Sequence, residues 1–156
     1  TFLNNTIDIN LIKSILKKIT NISWKYHRMN LKFSNNVVKP ENAHNDDQET
    51  CLKCCIYLSD VIDTNYGPNI YIEGSHINRE NIHDRKNIKV FNGKKGDVLI
   101  SFQNGYHARL ANPGMITAYL TLYFVPVNYK YSKFNNYIKF IQFNEHKNNT
   151  STQLYK

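Results

Sequence analysis

No stretch of this 156-residue chain is apolar for long enough to cross a bilayer as a helix, which takes roughly 20 predominantly apolar residues. No membrane partner is therefore expected. Cysteine occurs only three times, as Cys51, Cys54 and Cys55. An odd number crowded into one short segment argues against a disulfide framework and for a reducing compartment, so a cytoplasmic setting is expected. Cys51-x-x-Cys54 is half a zinc knuckle without a second cysteine pair, and reads as small-residue packing in a buried strand. Acidic residues are also scarce, 12 against 20 lysines and arginines, for a formal net charge of +8. The basic residues are scattered, with pairs at Lys17-Lys18 and Lys94-Lys95 and more in the tail from Lys130 onward. That distribution fits a solvated surface better than a dedicated nucleic-acid face. The first residue is Thr1, as in a fragment or a processed chain.

What is present is the composition of one globular domain: 41% apolar residues and 13% aromatics, rich in tyrosine and phenylalanine and so inclined to strands. Leu11, Ile12, Ile15, Leu16 and Ile19 recur at helical spacing, with Asp8 or Thr6 placed to cap the start, which predicts an amphipathic helix over residues 8–20. Extended segments follow at Trp24, Tyr26 and Leu31–Val38, with Asn35-Asn36 as a turn. Pro40–Asn45 has loop composition, and Leu52–Ser59 reads as a core strand. Turn chemistry recurs at Asn65–Pro68, Gly74–His76 and Gly93–Gly96 around short strands at Asn69–Ile72 and Asp97–Phe102. The polar section Ile77–Lys89 reads as a helix or as a loop over a site opening. Asn104-Gly105 is a hairpin signal, so Tyr106–Leu110 is expected to run antiparallel to the strand before it. A last strand spans Met115–Val125. Short strands joined by turns around a single helix indicate a mainly β fold, an antiparallel sandwich or jelly roll.

The chemistry concentrates in His44-Asn45-Asp46. Residues one apart on an extended chain share a face, so an imidazole nitrogen and a carboxylate oxygen can reach one ion. With a second histidine they form the two-histidine, one-carboxylate set of non-haem Fe(II) oxygenases, which leaves positions open for water, a co-substrate and dioxygen. His107 is placed to supply that third ligand.

Six features stand in order along the chain: His44-x-Asp46, the strand Ile56–Val61, Asn65-Tyr66-Gly67-Pro68, Gly74-Ser75-His76, Gly96-Asp97, and His107 with Asn112 five residues later. In this the chain resembles the phytanoyl-CoA dioxygenase family of Fe(II)/2-oxoglutarate oxygenases, over roughly half its length. The resemblance implies a double-stranded β-helix over residues 1–127, N-terminal helix included, with residues 128–156 as a partly frayed extension. It implies Fe(II) held by His44, Asp46 and His107, with 2-oxoglutarate and dioxygen as co-substrates, and hydroxylation of a small-molecule or carrier-linked substrate. Related halogenases lack the carboxylate, so Asp46 implies a hydroxylase.

The family's arginine for the distal carboxylate of 2-oxoglutarate falls ten or eleven residues beyond the second histidine, where this chain has Thr117 and Ala118. Neither carries charge. Thr117 remains a polar candidate, and Arg109, on the face of His107, is the candidate cation, with Lys53 more distant. His76 and Asn112 are expected beside the site rather than on the metal. Two further classes stand beside the oxygenase: a jelly-roll metal-binding protein without 2-oxoglutarate chemistry, and a basic nucleic-acid-associated domain.

Overall fold

The structure, a computed structural model, describes residues 7–46, 51–78, 80 and 85–127. The expected C-terminal extension, residues 128–156, lies outside these, as does part of the section 77–89.

The predicted helix forms as α1 (Ile9–Thr20). The Asp8 carboxylate accepts from the Asn10 and Leu11 amides at 2.9 Å, satisfying two of the amides a helix start leaves unpaired. Asn21 ends the helix in the left-handed conformation, φ 55°, donating its amide to the Lys17 carbonyl. Leu16 is completely buried beneath α1, packed with Trp24, Leu52, Leu122 and Phe124. Each such side chain contributes about 1.5–3 kcal/mol by leaving water. The Trp24 indole donates to Thr20 Oγ1 at 2.7 Å, tying the end of α1 to the strand that follows.

The strands are β1 (Trp24–Asn35), β2 (Leu52–Tyr57), β3 (Asn69–Ile72), β4 (Ile88–Phe91), β5 (Val98–Phe102), β6 (His107–Arg109) and β7 (Ile116–Pro126). They form two antiparallel sheets, one in the order β1-β7-β2-β5 and the other β4-β3-β6. This is the mainly β, jelly-roll-like architecture expected. Alternation sorts the four-stranded sheet into two faces. Leu52, Cys54, Leu122 and Phe124 turn outward under α1, while Cys55, Tyr57, Leu99 and Tyr119 turn inward to meet Tyr71 and Phe91 of the other sheet.

Three expectations change. The extended segments at Trp24, Tyr26 and Leu31 onward join in one long strand that runs to Asn35, with a bulge between Tyr26 and Arg28, and residues 36–38 lie beyond it. Part of the polar section 77–89 becomes a strand, β4, which pairs with β3. Most consequential, Tyr106–Leu110 does not pair with the strand before it: β5 belongs to the four-stranded sheet and β6 pairs with β3 in the other. Asn104-Gly105 reverses the chain while passing it between sheets. Gly105 does not have the positive φ of a tight hairpin turn; a Cβ there would collide with the Tyr71 hydroxyl, so glycine serves a close approach. That crossover carries His107 away from β5 and towards His44.

Candidate metal centre

His44 lies outside any named strand, yet it forms an isolated antiparallel bridge with His107, the first residue of β6. Each backbone amide donates to the other's carbonyl at 2.9 Å. Directly opposed residues share a face, so the two rings stand side by side with centroids 4.9 Å apart. Asp46 follows two residues after His44 and closes the group. Its Oδ1 is 3.2 Å from His44 Nε2 and its Oδ2 is 3.2 Å from His107 Nε2, and one donor atom from each of the three lies within 4.8 Å of the others.

The other ring nitrogens are already committed. His44 Nδ1 is 2.8 Å from the Asn42 carbonyl and His107 Nδ1 is 2.9 Å from the Gly105 carbonyl. A carbonyl only accepts, so each Nδ1 carries a proton and each Nε2 is the nitrogen turned to the centre. Metal-ligating histidines are commonly held this way. Hydrogen bonding to the His107 ring, with Lys53 and both imidazoles adding their fields, holds the Asp46 carboxyl well below the usual carboxylate range against the opposing effect of burial. Two Nε2 atoms and an ionised carboxylate on one side of an open cavity fit a divalent first-row ion, with coordination positions left over for small molecules.

The cavity beside this group encloses about 650 Å³, counting the space continuous with solvent. Its inner wall is apolar, with Ile70, Tyr71, Phe91 and Leu99. The Tyr71 ring stacks over His107, and its hydroxyl donates to the Phe102 carbonyl at 3.1 Å.

Lys53, expected as the more distant cation, is the nearest. Its Nζ is 3.0 Å from His107 Nε2 and 3.5 Å from Asp46 Oδ2, because β2 turns Lys53 to the same inner face as Cys55. Burial pulls its pKa below the ordinary lysine value while Asp46 pulls it up. Arg109 lines the same cavity two residues beyond His107, a step of about 7 Å along the strand. Its Nη2 is 3.7 Å from Glu41 Oε1, and its buried Nε has no hydrogen-bond partner among the described residues.

The remaining candidates lie apart from this cavity. Thr117 does not line it: the side chain is fully buried, with Oγ1 3.5 Å from Asn112 Nδ2. Asn112 acts at the strand ends rather than beside the candidate metal ligands. Its Oδ1 accepts from the Val37 amide at 2.9 Å and its Nδ2 donates to the Met115 carbonyl at 2.9 Å, joining the chain after β1 to the start of β7. The His76 ring stacks on Phe102 with centroids 4.8 Å apart and is not part of the three-residue group.

Two residues near the centre carried no signal in the sequence. Gln103 donates from Nε2 to Asp46 Oδ2 at 3.4 Å, and Glu41 reaches Arg109 from the loop before His44. Lys32 was legible in principle. On β1 the polar residues Arg28, Asn30 and Lys32 alternate with Met29, Leu31 and Phe33, which marks a strand with one polar face.

No protein-family model matches the sequence, and no curated protein is similar to it. Solved structures are similar in fold. AviO1 from Streptomyces viridochromogenes Tue57 superposes with a TM-score of 0.64 at 12% identity, over 75% of this chain and 57% of that one. HygX from Streptomyces hygroscopicus, solved with nickel and 2-oxoglutarate bound, gives 0.60 at 14% identity, over 82% of this chain and 68% of that one. SnoN, a non-heme alpha-ketoglutarate-dependent epimerase from nogalamycin biosynthesis, gives 0.59 at 13%, over 73% and 52%. The chain thus spans between about half and two thirds of the length of these proteins. No helix among the described residues is long and apolar enough to cross a membrane. At these identities the likeness is one of fold: the chain shares the architecture of a protein solved with nickel and 2-oxoglutarate and of a non-heme alpha-ketoglutarate-dependent epimerase, and it has a His-Asp-His group that could hold a metal ion.

Proposed function

We propose that the chain is the double-stranded β-helix domain of an Fe(II)/2-oxoglutarate-dependent oxygenase, of the phytanoyl-CoA dioxygenase-like kind, that hydroxylates a small-molecule or carrier-linked substrate. The observation that carries this reading is the convergence of His44 Nε2, Asp46 and His107 Nε2, with both Nδ1 protons held by backbone carbonyls. The sheet orders β1-β7-β2-β5 and β4-β3-β6, with His44 bridged beside β6, support the double-stranded β-helix.

Fe(II), which these three residues would hold, would supply the redox chemistry by which dioxygen oxidises both 2-oxoglutarate and a substrate C–H bond. The chain's own part is positioning. The Asn42 and Gly105 carbonyls fix the imidazole tautomers, and Gln103 steadies the Asp46 carboxylate. Arg109 lines the cavity two residues along the strand from His107, about 7 Å away, so its guanidinium suits the distal carboxylate of 2-oxoglutarate as a charge-assisted donor. Lys53 adds positive charge beside the coordinating end. Ile70, Phe91 and Leu99 keep bulk water from the inner wall.

Anaerobic addition of Fe(II) and 2-oxoglutarate to the protein should raise the weak visible metal-to-ligand charge-transfer band of such complexes. Iron binding without that band would point to a metal-binding jelly roll lacking 2-oxoglutarate chemistry. Unchanged iron affinity in both His44→Ala and His107→Ala would remove the metal assignment altogether.

A further inference from the structure

The inner face of β1 carries positive charge that the metal and co-substrate leave unanswered. β1 is an edge strand of its sheet, and its register sets Arg28 opposite Tyr123, Asn30 opposite Thr121 and Lys32 opposite Tyr119. Those three β7 residues line the cavity, so their partners face the same way, at its lip. Arg28 is held there, its guanidinium carbon 4.6 Å from the centre of the Tyr123 ring, a stacking that fixes the group while leaving its N–H edge open. Lys32 is exposed and lines the cavity. Neither cation has an ion pair among the described residues, and β1 contains no aspartate or glutamate.

Charge balance in the occupied site, taken on the function proposed above, sharpens this. A divalent ion, Asp46, Lys53 and the doubly negative co-substrate cancel one another. Arg109, shared between that co-substrate and Glu41, is offset by the Glu41 carboxylate. Lys32 and Arg28 remain, two cations four residues apart on one face, with the Asn30 amide between them. A low-dielectric cleft lined by one sign of charge concentrates ligands of the other sign.

We infer that the substrate is an anion, whose phosphate or carboxylate group lies along the lip formed by Arg28, Asn30 and Lys32 while its reacting carbon reaches the His44/Asp46/His107 centre. Arg28 and Lys32 then set specificity and leave metal and co-substrate binding to the residues deeper in the cavity.

The test uses the full chain loaded with Ni(II) and 2-oxoglutarate, titrated calorimetrically with phenyl phosphate, benzoate and the neutral benzyl alcohol. The inference expects one anion to bind in clear preference to benzyl alcohol, and the better of the two identifies the acid group. It expects the double variant R28Q/K32Q, and K32Q alone to a smaller extent, to weaken that anion about tenfold or more. Both sites are exposed, and the Fe(II)/2-oxoglutarate band, recorded separately without any aromatic ligand, should be unchanged in both variants. Equal binding of benzyl alcohol, or undiminished anion affinity in R28Q/K32Q, overturns the inference while the band stands. Retention of short DNA that is lost in R28Q/K32Q, without binding of either small anion, overturns it in favour of a nucleic-acid surface. Absence of the band in the unmodified protein instead overturns the proposed function, and is read independently of any anion.

Discussion

The two faces of the four-stranded sheet are built from alternate residues of the same strands and do opposite work. On β2 the outward set is Leu52, Cys54 and Ile56, packed beneath or against the α1 core, and the inward set includes Lys53 and Cys55, which border the metal candidates. On β7, Leu120, Leu122 and Phe124 alternate with Tyr119, Thr121 and Tyr123 in the same way. A one-residue slip of either strand would exchange the faces completely, burying Lys53 under a helix and exposing Leu122 in the cavity. The outward face therefore fixes the register on which the inward chemistry depends. It holds almost no polar atoms, while the inner face concentrates the titratable groups.

That division is most directly broken from the outside. Phe124 is fully buried against α1 and does not reach the cavity. Phe124→Ala should destabilise the fold by about 3–5 kcal/mol, through lost transfer energy and the cavity left behind. In chemical denaturation the midpoint should fall, and under conditions where the variant remains folded its metal affinity should match that of the parent. A variant that folds normally but loses metal would show the faces to be coupled rather than separable.

How much of this was readable beforehand follows the same division. The outward face was legible, because Leu11, Ile12, Ile15, Leu16 and Ile19 keep helical spacing and Val98, Ile100 and Phe102 keep strand spacing. The tripeptide His44-Asn45-Asp46 stood out too, since two of the three candidate ligands lie two residues apart in sequence. Pairing was harder. The reversal at Asn104-Gly105 was visible, but a turn signal reports that a chain turns and not which strand it then meets; the destination of β6 depended on Tyr71 filling the space that Gly105 leaves. Distances into the cavity were unreadable for the same reason. Lys53 sits in an apolar run and looked remote from the centre, yet β2 aims it at His107. Gln103 and Glu41 approach from turns and loops whose path no periodicity describes.

The two inner cations offer a smaller perturbation that separates their roles. Arg109→Met should weaken 2-oxoglutarate by roughly ten- to a hundredfold, the scale of a charge-assisted hydrogen bond of about 1.5–3 kcal/mol, with metal affinity unchanged. Lys53→Met should weaken it less, because Lys53 lies at the ligand end rather than a co-substrate length away. Titrating the Fe(II) charge-transfer band in each variant measures both. The reverse ranking would make Lys53 the partner of the distal carboxylate, and Arg109 an ordinary partner of Glu41.

The finest comparison lies between neighbours, Cys54 on the outer face and Cys55 on the inner. Burial, with Cys55 and Cys51 nearby, pushes the Cys54 thiol from its ordinary 9.0 up to about 12. Burial also raises Cys55, but hydrogen bonding to Thr121 and the charges of Lys53 and Lys32 work against it. In the unfolded chain both thiols titrate at their ordinary value, so in mildly alkaline solution the unfolded state loses protons that the native state keeps. Their contribution is complete below about pH 9 and declines as pH rises towards the native values, for Cys54 by at most about 1.4 kcal/mol per pH unit. Denaturation midpoints measured between about pH 8 and 9.5 should fall less steeply in Cys54→Ala than in the parent, the tyrosines contributing equally to both. Iodoacetamide should modify Cys55, which borders the cavity, before Cys54, which has no exposed surface. Faster modification of Cys54 would mean that α1 lifts from the sheet more readily than the cavity admits solutes, reversing which face of the sheet is the closed one.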